Sequence, residues 1–321
     1  MFGDPPLPWP HPIRGVGSLI DWLEKPCRRF AEYSNDPERR AILGRLAGFV
    51  AVVLCSLLVG AIAWALSSLP AAGFFFALYF AWAGLAMGCL VETGRDVIAR
   101  TETSPLVEAR VAVSWLVSRE TGDMDRATLR KTLADTLSEN FTDAFVAPFF
   151  WLTVAGPVGL WIYKTVSCFD SQWGYLTPRW KYLGWAGAKG DDLLAWFPAR
   201  LGAFSLFLCD KIAAIFPRFR RWRGTWPGWQ IVARDARGMP SPNSGWSMAA
   251  CAWLCDRRMA GSSVYFGKLV RKPWLGPTRV DGWNRMQLLA LCRLMELSSV
   301  VAAALVCSIC LGVMTIGILI F

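Results

Sequence analysis

The stretch Asp135-Thr136-Leu137-Ser138-Glu139-Asn140-Phe141-Thr142-Asp143 runs straight into about twenty uncharged residues, Ala144 to Tyr163, long enough to enter or cross a hydrocarbon core. Wound as a helix, it sets Asp135, Glu139 and Asp143 at i, i+4 and i+8, three carboxylates on one face, where like charges repel by about a few tenths of a kcal/mol per pair. A plain membrane anchor has no use for such a stripe, so a cation is expected to answer it. The bland alternative is a solvated acidic face on a helix beside the membrane.

Outward from this stretch the chain is strongly apolar. Of its 321 residues 54% are hydrophobic and 18 are Trp, and the apolar residues are gathered into runs, as in an integral membrane protein. Leu46–Leu69, Ala71–Val91 and Ser298–Phe321 carry no charge, and Ala144–Tyr163 is a fourth such run. A weaker fifth, Leu193–Cys209, holds Pro198 and Arg200, so it is expected to face protein or water and to be re-entrant or interfacial. The expected fold is an all-α membrane protein of about five hydrophobic helices, two of them re-entrant or half-spanning, with helical loops on the cytoplasmic side. The first run begins too far into the chain, and lacks the small-residue site, for a cleaved signal peptide.

Charge orients the chain. A net charge of +10 favours anionic lipid head groups and anionic ligands. Basic residues scattered through a hydrophobic chain argue against nucleic acid; the Arg218–Trp229 mixture of arginine and tryptophan reads as an interfacial belt. The Lys and Arg excess before the first run, in 92–143 and in 211–293, places those segments inside. Organisation follows as 1–41, a Pro-rich motif and an amphipathic interfacial helix built on Val16, Leu19, Ile20 and Leu23; 42–91, a membrane hairpin turned at Pro70; 92–143, a cytoplasmic helical segment; 144–212, membrane segments enclosing the polar loop 164–192; 213–293, a basic region with binding loops; and 294–321, the last crossing. Whether 164–192 lies outside or inside depends on whether the runs on either side cross fully. Charge counting leaves both open.

His11 is the only histidine among ten cysteines, so no His/Cys metal spacing exists, and Cys251 with Cys255 does not make a zinc site. No phosphate loop, dinucleotide fingerprint, zinc-protease motif or internal repeat is present.

A series of short blocks carries a more specific signal. Gly3-Asp4-Pro5 and His11-Pro12-x-Arg14 come first, then Ser114-Trp115-Leu116-Val117-x-Arg119 and Glu139-Asn140-x-x-Asp143-x-x-x-Ala147-Pro148. Tyr163-Lys164, Asp170-Ser171-x-x-Gly174-Tyr175, Asp191-Asp192 and Pro198-Ala199-Arg200-Leu201 follow, and Ser241-Pro242-Asn243-x-x-Trp246 and Tyr265-Phe266-Gly267 close the series. Each is weak alone, but their order along most of the chain resembles the CobD/CbiB family, the membrane-bound adenosylcobinamide-phosphate synthases of cobalamin biosynthesis.

The resemblance implies an ATP-consuming, Mg²⁺-requiring reaction at the bacterial inner membrane that joins a carboxylate of adenosylcobyric acid to the amine of aminopropanol phosphate. On that reading Glu139, Asp143, Asp170, Asp191 and Asp192 are expected metal ligands, in the manner of carboxylates that complete an ion shared with phosphates. Lys164, Arg119 and Arg200 are expected to neutralise phosphate or an acyl-phosphate-like transition state, and His11 or a carboxylate to accept the ammonium proton. Asn140 belongs to the same catalytic block. Arg14, Ser171, Tyr175, Ser241, Asn243, Trp246, Tyr265 and Phe266 are expected to contact the corrinoid and its amides. A cytoplasmic active site, membrane lipids, and a homodimer or contact with other cobamide-assembly enzymes complete the expected partners. The family pattern also implies an apolar helix ahead of Gly3, where this sequence shows Met1 and Phe2, a Gly-Arg-Asp-Thr block that here reads Ser118-Arg119-Glu120-Thr121, and a Gly-Gly-Pro-Asn that reads Ala260-Gly261-Ser262-Ser263. A non-catalytic scaffold or sensor, a transporter, or a paralogue joining another acid and amine are the competing readings.

Overall fold

Helix capping and apolar periodicity account for most of the architecture. The computed structural model describes residues 11–265, 267–278 and 282–320, leaving aside the side chains of 314 and 316–320. The helices are α1 Pro12–Ala31, α2 Pro37–Ser67, α3 Gly73–Gly84, α4 Met87–Thr103, α5 Leu106–Ser114, α6 Arg126–Phe141, α7 Ala147–Trp173, α8 Trp185–Leu194, α9 Trp196–Ile215, α10 Trp229–Arg237, α11 Ser244–Cys255 and α12 Arg285–Ile320. A π-helical segment, Thr142–Val146, joins α6 to α7. Two antiparallel ladders add the only strands among the described residues: β1 Met259–Ala260 with β4 Trp274–Leu275, and β2 Ser263–Tyr265 with β3 Lys268–Val270. These pairs are too short to change the helical class, and they lie where Gly261, Gly267 and Gly276 take positive φ.

Among the described residues four stretches are long and apolar enough to cross a membrane: Pro37–Ser67, Gly73–Thr103, Arg126–Trp173 and Arg285–Val313. The pair α8 and α9, bent by 45° at Ala195, makes a fifth if counted as one span. Exposed Leu54, Leu57, Trp64, Phe74, Phe75 and Leu78 give α2 and α3 the apolar exterior that lipid requires. The Ala144–Tyr163 run is not a straight rod. Ala155 and Gly156 leave helical geometry immediately before Pro157, with Gly156 at φ 63° and ψ −160°, a conformation open to glycine and unsuited to a residue with Cβ.

The described residues form two compact units, 86–146 with 196–320, and 11–85 with 147–195. In the second unit α1, α2, α3, α7 and α8 share a core of Ile20, Ala51, Phe80, Trp161, Phe169 and Trp173, among others. On α1, Val16 and Ile20, two of the four residues of the expected apolar stripe, are buried against protein. Gly44 and Gly48 of α2 let the chain at Tyr182 and Leu183 approach where a side chain would collide. In the first unit α6 is the central rod, packed by α4, α5, α11 and α12. Its Leu129, Leu133, Leu137 and Phe141, spaced four apart, are wholly buried.

Candidate functional site: a cation-lined face of α6

Asp125 starts α6 by accepting the Thr128 amide at 2.7 Å, and hydrogen bonding from the Thr128 side chain and then from this amide holds its carboxyl below the usual carboxylate range. Three turns later Asp135 is completely buried, so this member of the stripe is not part of a solvated acidic face. A buried carboxylate needs cations and donors, and it has both. Its Oδ2 accepts from Arg119 Nη1 at 2.5 Å and from Lys131 Nζ at 2.9 Å, and its Oδ1 from the Ala260 amide at 2.8 Å. Lys131 also donates to the Ala260 carbonyl and sits over the Trp274 ring. The cation that the stripe demands is therefore supplied, for Asp135, by the protein itself.

Arg119 is nearly buried. Burial works against its charge, but the Asp135 carboxylate and its hydrogen bond outweigh that and hold the guanidinium charged. Its Nε donates to the Tyr265 phenol oxygen at 2.8 Å, and Lys272 Nζ donates to the same oxygen at 2.9 Å. Glu139, one turn beyond Asp135, is half-buried within electrostatic range of Arg119, Lys272, Asp135 and Asp143. Its carboxylate makes no hydrogen bond or ion pair to the described residues. Asn140 turns its amide back onto the Thr136 carbonyl at 2.9 Å, a local helix bond. Asp143 lies in the π-helical segment, a deviation that recurs at functional sites.

A second cluster forms within the same unit. Arg200 Nη1 donates to the Asn243 amide oxygen at 3.1 Å, and the guanidinium lies between the Trp196 ring at 4.2 Å and the Trp246 ring at 5.0 Å. It pairs with no carboxylate among the described residues, so its charge is uncompensated locally. Ser241 Oγ accepts the Asn243 amide at 3.2 Å and shapes the turn into α11. Gly202 of α9 approaches Phe141, Thr142 and Val146, which sets the start of α9 against the segment carrying Asp143.

The other expected residues belong to the second unit. Lys164 is half-buried on α7, near Cys168 and Asp191. Asp170 receives the Gly174 amide on its backbone carbonyl, Ser171 donates to Ser167 of its own helix, and Asp192 accepts from Lys189 at 3.3 Å. Tyr175 is half-buried, and Arg14 is exposed. His11 caps α1: its Nδ1 accepts the Ile13 amide at 3.3 Å, so that nitrogen carries no proton. Phe266 lies outside the described residues.

Among the described residues no three His, Cys, Asp or Glu side chains converge closely enough to cage a metal. Glu139 and Asp143 are carboxylates of this face that lie within electrostatic range of each other. Cys251 and Cys255 are buried, and burial raises both thiols well above their ordinary range, so neither is a ready thiolate ligand.

Lys131 and Lys272 are the residues that sequence reasoning missed. The Lys131–Asp135 spacing of four was visible, whereas nothing in the basic run 268–272 marks Lys272.

The family description CobD/CbiB protein matches residues 1–314 of the chain. This chain belongs to the CobD/CbiB family. Relatives include the cobalamin biosynthesis protein CobD of Photorhabdus laumondii, 34% identical over 87% of this chain and 84% of its own length. CbiB of Salmonella typhimurium is 31% identical over 88% and 85%, and CobD of Listeria monocytogenes 32% over 86% and 84%. No solved structure gives a significant match. Membership carries a role in cobalamin biosynthesis. Within the CobD/CbiB framework the Asp-to-Glu departure at Glu120 has a local use: the longer side chain reaches the Gly267 amide at 2.6 Å, while the Glu120 amide donates to the Val264 carbonyl at 3.1 Å, pinning the β2–β3 hairpin.

Proposed function

We propose that this protein is a membrane-bound, ATP- and Mg²⁺-dependent amide synthase that joins adenosylcobyric acid to aminopropanol phosphate, giving adenosylcobinamide phosphate. The observation that carries the reading, beside family membership, is Glu139: a carboxylate with no hydrogen-bonding partner among the described residues, held where Arg119 and Lys272 act on it. Asp135, one turn away, has both oxygens bonded within the protein, so of these two carboxylates Glu139 is the one left able to meet a ligand.

Amide formation requires the carboxylate oxygen to leave as part of a phosphate, the amine nitrogen to bond to the carbonyl carbon, and the ammonium to lose a proton. Arg119 and Lys272 oppose negative charge that builds on phosphoryl oxygens, in surroundings where most of Arg119 is shielded from water. Glu139 and Asp143 are the residues that would hold a magnesium ion, which when bound would supply charge neutralisation for a phosphoryl group. The Arg200, Asn243 and Trp246 cluster offers an unpaired guanidinium, an amide and a ring face, the chemistry that a carboxylate- and amide-bearing corrinoid would meet. Lys164 offers a further cation on α7 of the second unit.

Incubating the detergent-purified protein with adenosylcobyric acid, aminopropanol phosphate, ATP and Mg²⁺ tests this. The expected result is amide product with matching ATP consumption. Neither product nor ATP turnover would reject the enzyme and favour a scaffold or sensor; turnover only with another acid or amine would identify a paralogue.

A further inference from the structure

Arg119 and Lys272 both donate to one uncharged oxygen, the Tyr265 hydroxyl. Lys272 is half-buried, its ammonium also lies 4.8 Å from the Tyr265 ring centre, and no carboxylate lies within ion-pair reach of it among the described residues. Arg119 shares its single anion, Asp135, with Lys131. Arg119, Lys131 and Lys272 thus face Asp135 with two positive charges in excess, and Glu139 offsets one of them without a direct bond. A phenol is a poor match for two full cations, because it accepts their hydrogen bonds without the negative charge that an ionised phosphoryl oxygen would set against them. Tyr265 is carried at the end of β2, on the hairpin that Glu120 holds at both Val264 and Gly267. Its ring can therefore swing away by side-chain rotation while the hairpin stays in place.

We propose that the point between Arg119 and Lys272 is a phosphoryl-oxygen subsite, that the Tyr265 hydroxyl is its resting occupant, and that Lys272 selects the phosphate-bearing ligand. A phosphate monoester and the terminal phosphate of ATP share the required chemistry. The amide-synthase reading is needed only to say which of them arrives.

Equilibrium binding to the full chain in detergent separates the cases, using aminopropanol phosphate, unphosphorylated aminopropanol, ATP and inorganic pyrophosphate as individual probes. Lys272→Met is expected to weaken the phosphorylated probe that uses the subsite by about tenfold or more, and Lys272→Arg to restore most of the loss. Loss for aminopropanol phosphate alone assigns the subsite to the amine substrate, and loss for ATP and pyrophosphate assigns it to the nucleotide. Unphosphorylated aminopropanol is expected to bind all variants alike. Tyr265→Phe is expected to bind the same phosphorylated probe as well as or better than the parent, since a competing hydroxyl is gone. Parent-like binding of every phosphorylated probe by Lys272→Met would overturn the subsite, and so would a loss in Tyr265→Phe as large as that in Lys272→Met. Thermal unfolding of each variant guards against a folding defect, and the arginine rescue distinguishes lost charge from lost packing. If no amide forms yet pyrophosphate binding still depends on Lys272, the subsite stands and the synthase reading falls.

Discussion

Replacing Asp135 with Asn strands Arg119 and Lys131 without their anion inside the first unit. Breaking a buried pair from one side costs about 3–5 kcal/mol, so Asp135→Asn should lower the thermal midpoint in detergent sharply, or prevent accumulation of folded protein. Glu139→Gln makes a different prediction from a position one turn away. Glu139 has no direct partner to lose among the described residues, so Glu139→Gln should change the midpoint far less than Asp135→Asn does. Product formation should fall by about 100-fold or more if the carboxylate acts on the reacting groups. Undiminished activity in Glu139→Gln would return the exposed part of the stripe to a solvated acidic face. His11 is the residue whose expectation moves most. As an N-cap it fixes where α1 begins, so His11→Asn, another competent cap, should preserve stability.

Elements add their own tests. Asp125 caps α6, and Asp125→Ala should cost about 1 kcal/mol, read as a lower thermal midpoint. Because hydrogen bonding to Thr128 depresses the folded-state pKa of Asp125, its contribution is present above the unfolded carboxylate pKa and is lost as the pH falls through the folded one. The difference between Asp125→Ala and the parent should therefore shrink in acid and persist at neutral pH. In α7 the break at Ala155–Gly156 puts a glycine where φ is positive. Gly156→Ala should destabilise by about 1–3 kcal/mol, whereas a straight spanning helix would be stabilised by the same change. The sign of that shift reports whether the run is broken in the membrane-embedded protein.

At the scale of the whole molecule, the predictions concern sides of the membrane. Four long apolar stretches and one bent pair make a multi-pass protein. The proposed use of ATP requires the α6 face and the 164–192 loop to be reached from the cytoplasm. Single cysteines introduced at Ser171 and Lys268 in a background cleared of accessible native thiols should react with an impermeant maleimide only in inverted vesicles. Labelling of Ser171→Cys from the outside alone would mean that the runs on either side cross fully, placing Lys164, Asp170 and Asp191 away from the nucleotide. Among the described residues the chain passes between the compact units three times, at Leu85–Ala86, Val146–Ala147 and Ala195–Trp196.

The amino-acid sequence by itself determined the helical membrane class, the hairpin at Pro70, the amphipathic period of α1 and the family, because these depend on local hydropathy, helical period and motif order. The acidic stripe was legible as a demand for positive charge. Which carboxylate is answered by which cation was decided only by the tertiary structure: Arg119 lies 16 residues from Asp135 and Ala260 lies 125 residues away, and burial, not spacing, makes their bonds obligatory. The same holds for Lys272, whose significance comes from meeting Arg119 at a shared oxygen 146 residues distant in sequence from that arginine. The π-helical turn at Asp143 and the break at Gly156 were likewise out of reach. Sequence period describes an ideal helix, and these departures are set by what each turn must pack against.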